Sequence, residues 1–427
     1  MATAPSIKVD RSIRKSLRLF DADRFRWLDE AAALGPLVAL RMGPINVWVV
    51  TDPDAARSML VSDADSWTRP PATLVPIRVG VGENLFTQSD KNWAKLQPSV
   101  APAFRRKALE ARLAAMGALV ESEVAAIPID APVDLELAMG RIGLTLAAWI
   151  LLGERLDSAR AEEIAHHQRE VVGWVGHRLG QLSGIMPVAL GAPARAMKEH
   201  RAVLHAYADE VIARAKAAPH ADDVLAALTD AQPSGRPLDD RQLRGHVLGL
   251  FLAGNETTVA ALSWALVHAA RSPGEWAKVR EAPEERTPSY IAETLRLTPA
   301  VWGIPRTPTK PGTMLTAGST TTRVRRGQVT TVYLRGMNRD PARWNDPLRF
   351  DPSRHDGGGK EQQRSLLPFG LGPRGCIGQH MALAEMNAIV PALARRGNVT
   401  VEGEATEDAR FALRVGGGLR GRFTQPL

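Results

Sequence analysis

The sequence predicts a mainly α fold with a minor antiparallel β region, and three observations carry that prediction. Residues 107 to 218 are alanine-rich with helical spacing, punctuated by Gly153, Gly184 and Gly191-Ala192-Pro193. A second, largely apolar span opens at Pro237-Leu238-Asp239-Asp240, where the acids suit a helix N-terminus, and stops before Ser272-Pro273-Gly274. At roughly 32 residues this helix is about 48 Å long. β-Branched runs, in contrast, are short and sit at 37–51 and 314–333.

With 427 residues, 44% hydrophobic content and no linker-like stretch, the chain is expected to form one domain over residues 1–427. The formal charge of +8 suits an acidic partner, but the arginines are scattered, which argues against nucleic acid. Neither a run of 18 apolar residues nor a signal-peptide core is found, so a soluble, cytoplasmic monomer is expected. Lys8 to Phe20 interleaves Arg11, Arg14, Lys15 and Arg18 with Ile13, Leu17 and Phe20 at helical spacing. It reads as a surface helix docked on the body rather than one lying on a membrane.

Taken in order, Leu37–Met42 and Val47–Thr51 around Gly43-Pro44 predict a hairpin, after which Asp52-Pro53 opens a helix through Leu60. Thr68 to Phe86, rich in proline, glycine and β-branched residues, predicts a long loop. Pro187 and Pro193 bracket a helix–helix turn near 183–193. In the middle of the long helix stands Ala253-Gly254-Asn255-Glu256-Thr257-Thr258, a polar cluster that by itself is more often a kink than a site. Glu293-Thr294-Leu295-Arg296 follows in a helix starting after Pro288, with carboxylate and guanidinium on one face. Met314–Ala317, Thr320–Val324 and Gln328–Tyr333 predict a small antiparallel sheet. Gly357-Gly358-Gly359 predicts a flexible loop, and Phe411–Leu419 with Gly416-Gly417-Gly418 a hairpin.

The chemistry concentrates in Phe369-Gly370-Leu371-Gly372-Pro373-Arg374-Gly375-Cys376-Ile377-Gly378. Cys376 is the only cysteine, which excludes an intramolecular disulfide and any multi-cysteine metal site. The glycines and Pro373 hold a tight loop, and the sequence turns helical from Ile377 onward. A thiol at a helix N-terminus, two residues after Arg374, is expected to have a lowered pKa, fitting it as nucleophile, redox sensor or metal ligand.

This stretch resembles, at every fixed position, the haem-binding loop of the cytochrome P450 family, Phe-x-x-Gly-x-Arg-x-Cys-x-Gly. The resemblance implies a haem b, iron protoporphyrin IX, buried between the long helix and the cysteine loop, with Cys376 as axial thiolate. Phe369 would pack beside the sulfur, and Gly370 and Gly378 would keep the loop close to the ring. Arg374 and Arg306 would meet the propionates. Trp93 matches the family's Trp-x-x-x-Arg segment, while Gln97 stands where the family has arginine and brings no charge unless Lys95 or another cation helps. The long-helix cluster resembles the family's oxygen-activation signature. Gly254 would unwind the helix and make room for dioxygen, Thr257 would hydrogen-bond it, and Glu256 would relay protons. Glu293, Arg296 and Arg354 match the buried structural trio, with His355 where an aromatic is commoner and Arg349 out of register.

The same resemblance nominates pocket residues. Leu74, Val75, Ile77, Val79, Leu85 and Phe86 would roof the pocket, and the turn near 183–193 would belong to a mobile lid. Leu252 and Ala253 would line the long-helix side, Val301, Trp302 and Ile304 another wall, and Val415 the hairpin tip. The implied activity is insertion of one oxygen atom of O2 into a C–H bond or C=C of a hydrophobic small molecule. With no flavin or iron–sulfur domain after Leu427, electrons are expected from separate proteins, a ferredoxin and its reductase or a similar donor. The alternatives are a peroxide-driven peroxygenase and a non-catalytic haem-binding sensor.

Overall fold

The computed structural model describes residues 4–43, 45–180, 192–217, 223–357, 360–409 and 411–425. Its axis is the helix Asp240–Arg271, 32 residues long as the sequence predicted. Asp239 accepts from the Gln242 N–H at 2.8 Å while Gln242 Oε1 accepts from the Asp239 N–H at 2.9 Å. This reciprocal cap contributes about 1 kcal/mol and fixes where the helix starts. Helix Leu135–Leu152, apolar on every face, lies alongside. Both helices are long and apolar enough to cross a membrane, but 83% and 78% of their apolar windows are buried inside the protein. They are core helices, and their hydrophobicity reflects neighbours on all sides.

Small residues set how closely other segments approach the axis. A Cβ on Gly245 would lie 2.2 Å from the Glu83 carbonyl oxygen, and one on Gly249 would lie 2.5 Å from the Asn84 side chain. The segment after Gly82 therefore presses its backbone onto the long helix, which a larger residue would forbid. His246 reinforces the contact by accepting the Leu85 N–H at 3.0 Å.

Several local expectations need correction. Thr68–Phe86 is not one long loop: Pro71–Val81 forms a helix, with Pro71 in the first turn and Pro76 inside. Pro76 removes one backbone donor, yet Ile77, Gly80 and Val81 are buried. At Gly80 the fit is so close that a Cβ would sit 2.5 Å from Val175 Cγ2 of helix Ser158–Gly180. Packing on that neighbour outweighs weak helix propensity. The Glu293 helix starts at Pro283 rather than after Pro288, which lies within it. Lys8–Asp10 belongs to strand Ser6–Asp10, and the first helix spans only Ile13–Ala22. The helix opened by Asp52 is regular over Pro53–Arg57 and widens into π turns over Ser58–Ser62. The turn expected near 183–193 falls mostly outside the described residues, as do Gly358 and Gly359.

Leu37–Met42 and Ile45–Val50 pair antiparallel, as predicted. They belong to a six-stranded sheet in the order Ser6–Asp10, Leu37–Met42, Ile45–Val50, Val329–Val332, Ile304–Pro308, Trp67–Thr68. Two pairs in it are parallel, the first with the second strand and the third with the fourth. Thr313–Ala317 and Thr320–Val324 form their own hairpin, and Val329–Val332 leaves them for the larger sheet. The C-terminal hairpin pairs Glu407–Ala409 with Leu413–Val415, so it lies earlier than expected, and Gly416-Gly417-Gly418 follow it. Alternation shows that a segment is extended, but its partner is chosen by tertiary contacts.

Candidate active site

The loop Phe369–Gly378 is closed on itself. The Cys376 N–H donates to the Phe369 carbonyl at 2.8 Å, and the Gly375 N–H donates to Gly372 at 2.9 Å. Gly370 and Gly372 have φ of 67° and 71°. At Gly372 a Cβ would lie 1.8 Å from the Leu60 carbonyl oxygen, so only glycine fits. Helix Gln379–Arg396 begins three residues after Cys376. Cys376 is accessible by residue area yet crowded by protein atoms, as a side chain in a crevice is. Burial pushes its thiol above the ordinary value and a hydrogen bond from Gly378 opposes this. The expected lowering by the helix terminus is thus outweighed by desolvation.

The middle of the long helix approaches this loop through Met381, whose Cε would be 3.9 Å from a Cβ on Gly254. Leu252, Asn255, Glu256 and Thr258 are each no more than 4% exposed, yet Ala253 is exposed and Thr257 half-buried. An accessible strip therefore interrupts an otherwise buried helix. Thr257 Oγ1 donates to the Ala253 carbonyl at 2.8 Å, and Thr258 Oγ1 to Gly254 at 2.7 Å. The helix is continuous through Gly254, so the unwinding expected there is not seen.

Glu256 points elsewhere, one residue's rotation around the helix. Its carboxylate forms a bidentate pair with Arg414, at 2.6 and 2.7 Å. Arg414 Nε also lies 3.7 Å from Glu136. Glu136 and Arg414 both line a surface cleft of about 400 Å³, together with Asp134, Arg169 and Glu170. The buried acid thus sits one arginine away from bulk water.

A group of arginines gathers beside the cysteine loop. Arg374 Nε donates to Asp90 at 3.1 Å, and its guanidinium lies 4.2 Å from the centre of the Trp93 ring. Arg69 stands 3.9 Å from the same Asp90, and Arg306 is only 9% exposed. Burial pulls Arg69 and Arg306 each down to about 10, with Arg374 adding repulsion and Asp90 partly restoring them. Three guanidinium groups around one carboxylate make a site that favours further anions. Gln97 is half-buried on the Trp93 helix, and Lys95 turns away toward Ser234. Arg69, which carries no sequence signature, adds a third guanidinium on this side of the loop.

Glu293 and Arg296 are fully buried and joined by two hydrogen bonds of 2.7 and 2.8 Å. Arg354 Nε lies 3.3 Å from Glu293, His355 Nε2 lies 3.0 Å away, and the Asp351 N–H donates at 2.9 Å. Arg296 also donates to the carbonyls of Asn338, Pro347 and Arg349, which ties down the chain before the cysteine loop. Burial alone would raise Glu293, but hydrogen bonds from Arg296 and His355 hold it at about 2. Arg349 contributes only its carbonyl here, in keeping with its register.

The nominated pocket residues do not all face one space. Val75 and Phe86 are 43% and 46% exposed, with Arg69 lying 5.6 Å from the Phe86 ring centre. Leu74, Leu85, Val301 and Ile304 are half-buried, and Ile304 Cδ1 would be 3.6 Å from a Cβ on Gly370. Ile77 and Val415 are core residues at 2% and 4% exposure, with half-buried Val79 packed against the same core. Trp302 packs edge-on to Phe25 at 5.7 Å and under Arg24. Leu252 lines a void of about 10 Å³ with Val81, Gln168 and Phe251, room for a single water. Sequence reasoning missed Arg69, Asp90, Arg414 and Glu385; no local pattern links Glu256 to an arginine 158 residues away.

A lone thiol in a tight glycine loop, an accessible strip on the helix approaching it and an arginine surplus at its edge fit a flat, dianionic ring with a metal centre. The fold and these residues define a haem-thiolate class of site. The chain belongs to the cytochrome P450 family, whose model matches residues 23–413. It is 29% identical to cyclooctatin synthase of Streptomyces melanosporofaciens, over 87% of this chain and 84% of that one. It is 27% identical to cyclooctat-9-en-7-ol 5-monooxygenase of the same organism, with the same coverage. A putative cytochrome P450 135B1 of Mycobacterium tuberculosis is 26% identical over 71% of this chain and 66% of its own. The protein is a P450 monooxygenase, an oxidoreductase of the haem-thiolate family.

Proposed function

We propose that this enzyme inserts one oxygen atom of O2 into a C–H bond or C=C of a hydrophobic, cyclic small molecule. The cofactor is haem b, and electrons come from a separate ferredoxin-type donor. The observation that carries the reading is Cys376, the chain's single thiol, in a glycine loop whose following helix brings Met381 up to Gly254 on the accessible strip of the long helix. When bound, haem supplies the activation of dioxygen by two electrons and protons. Cys376 is its thiolate ligand, with Phe369, Gly370 and Gly378 shaping the loop around the sulfur. Arg69, Arg306 and Arg374 hold the propionates, with Trp93 and Gln97 as hydrogen-bond donors.

The remaining residues handle protons and substrate. Thr257, its proton resting on the Ala253 carbonyl, presents a hydroxyl on the accessible strip that turns to donate there, Gly254 leaves the space beside it open, and Glu256 takes up protons when Arg414 releases it. Leu74, Val75, Phe86, Ala253, Val301 and Ile304 bind the apolar body of the substrate. The cyclic alcohol in one relative's name supports a substrate of that size and polarity. The net charge of +8 favours an acidic electron carrier.

The test is the absorption spectrum of the reduced, carbon-monoxide-treated protein. A thiolate-type Soret band in the wild type and its loss in Cys376→Ser is the expected result. Imidazole-type spectra in both overturn the reading. Turnover with reductase and NAD(P)H but not with peroxide alone separates it from a peroxygenase.

A further inference from the structure

Three histidines, none of them in the cysteine loop or the long helix, meet where helix Ser158–Gly180 packs on helix Ala192–Ala217. His167 Nδ1 and His200 Nδ1 are 2.8 Å apart, although 33 residues separate them in sequence. The His166 ring lies 5.4 Å from His167 and 5.7 Å from His200, centre to centre. His167 and His200 are half-buried while His166 is exposed, so the cluster is ordered by packing yet reachable from solvent. Oxygen activation uses none of these side chains.

Two ring nitrogens at this distance share one proton, because one must donate and the other accept. A divalent transition metal can take that proton's place. Two imidazole ligands on a tetrahedral zinc stand about 3.3 Å apart, given metal–nitrogen bonds near 2.05 Å. The pair needs to open by only about 0.5 Å to reach that spacing. Burial and the neighbouring histidines lower the proton affinity of His167, and Glu163 and Glu170 on the first helix only partly offset them, so the ring is kept in its neutral, ligating form. Arg160 is paired with Glu163 at 2.7 Å, while Glu170 is exposed on the same helix. Glu199 on the second helix is held by Arg195 at 3.6 Å, and Arg201 donates to the Val79 carbonyl at 2.7 Å.

We propose that His167 and His200 form a two-imidazole site for a zinc-class divalent ion, which bridges the two helices. Among the described residues no group of three such donors is placed to hold a metal, so water completes the coordination. The ion clamps the two helices against each other. Binding requires both imidazoles in their neutral form.

Calorimetric titration of the haem-loaded enzyme with Zn2+ and Ni2+ tests this. The wild type is expected to bind one ion. His167→Gln and His200→Gln keep a polar contact between the helices but should each weaken binding by about tenfold to a hundredfold. The carbon-monoxide spectrum of each variant serves as the control for folding. No binding by the wild type, binding by both variants as tight as that of the wild type, or loss in only one of them overturns the bridging site.

Discussion

Glu293 and Glu256 each grip an arginine through two hydrogen bonds, but one pair is sealed in the core and the other borders open water. Glu293 and Arg296 have no exposure, and every further partner is protein: Arg354, His355 and backbone groups. Glu256 is 3% exposed, but its partner Arg414 lines the cleft and stands 3.7 Å from a second carboxylate, Glu136. The same chemistry thus serves opposite ends. A closed network has one arrangement and fixes a loop, whereas an arginine shared by two acids has two arrangements and can release one of them. The access of the arginine to water, rather than residue type, distinguishes the two pairs.

The comparison breaks most visibly at Glu293. Glu293→Gln leaves Arg296 buried without its countercharge and should cost about 3–5 kcal/mol. Urea unfolding of the haem-loaded protein measures this, and a loss below about 1 kcal/mol would remove the structural assignment. The pH dependence has a definite sign. Because Glu293 is held at about 2 in the folded state, its contribution is complete above the ordinary carboxylate value of about 4.5 and is lost as pH falls toward 2.

Glu256→Gln should behave in the opposite way. Arg414 can turn to Glu136, so the stability loss stays below that of Glu293→Gln. Product formation should fall by about 10²-fold, with a larger solvent isotope effect, if Glu256 moves protons. Unchanged coupling of electron use to product in this variant would leave Glu256 as framework after all.

A third effect, visible only as a slope with pH, is expected at Glu385, a carboxyl on helix Gln379–Arg396 that is 1% exposed. Burial raises it to about 8, and its contact with the Thr258 hydroxyl acts against that rise. The folded state therefore keeps a proton that the unfolded chain gives up near 4.5. Stability must decline as pH rises from there toward 8. Glu385→Gln should flatten that decline in thermal melts taken at pH 5, 6, 7 and 8, while a slope unchanged from wild type would show Glu385 to be ionised in the fold.

Short-range signals were read correctly where local physics decides. Asp239 and Gln242 cap the long helix because capping involves residues three apart. The Cys376 loop was legible because glycines at fixed offsets encode a backbone path, and Gly372 shows why, since no side chain fits against Leu60. The helix Pro71–Val81 was not legible. Three prolines argue for a loop, and only the buried contact of Ile77, Gly80 and Val81 with a distant helix overrides them. Strand partners escaped for the same reason, as Val329–Val332 looks alike beside either neighbour.

By itself the sequence determined the haem-thiolate class, the single cysteine, the long helix with its threonines and the Glu293–Arg296 pair, all carried by residues close in the chain. Only the tertiary structure decided that Glu256 answers to Arg414, that Arg69 joins Arg306 and Arg374 around Asp90, and that His167 meets His200. These are contacts between residues tens to hundreds of positions apart, and loop closure leaves no periodicity in the sequence to announce them.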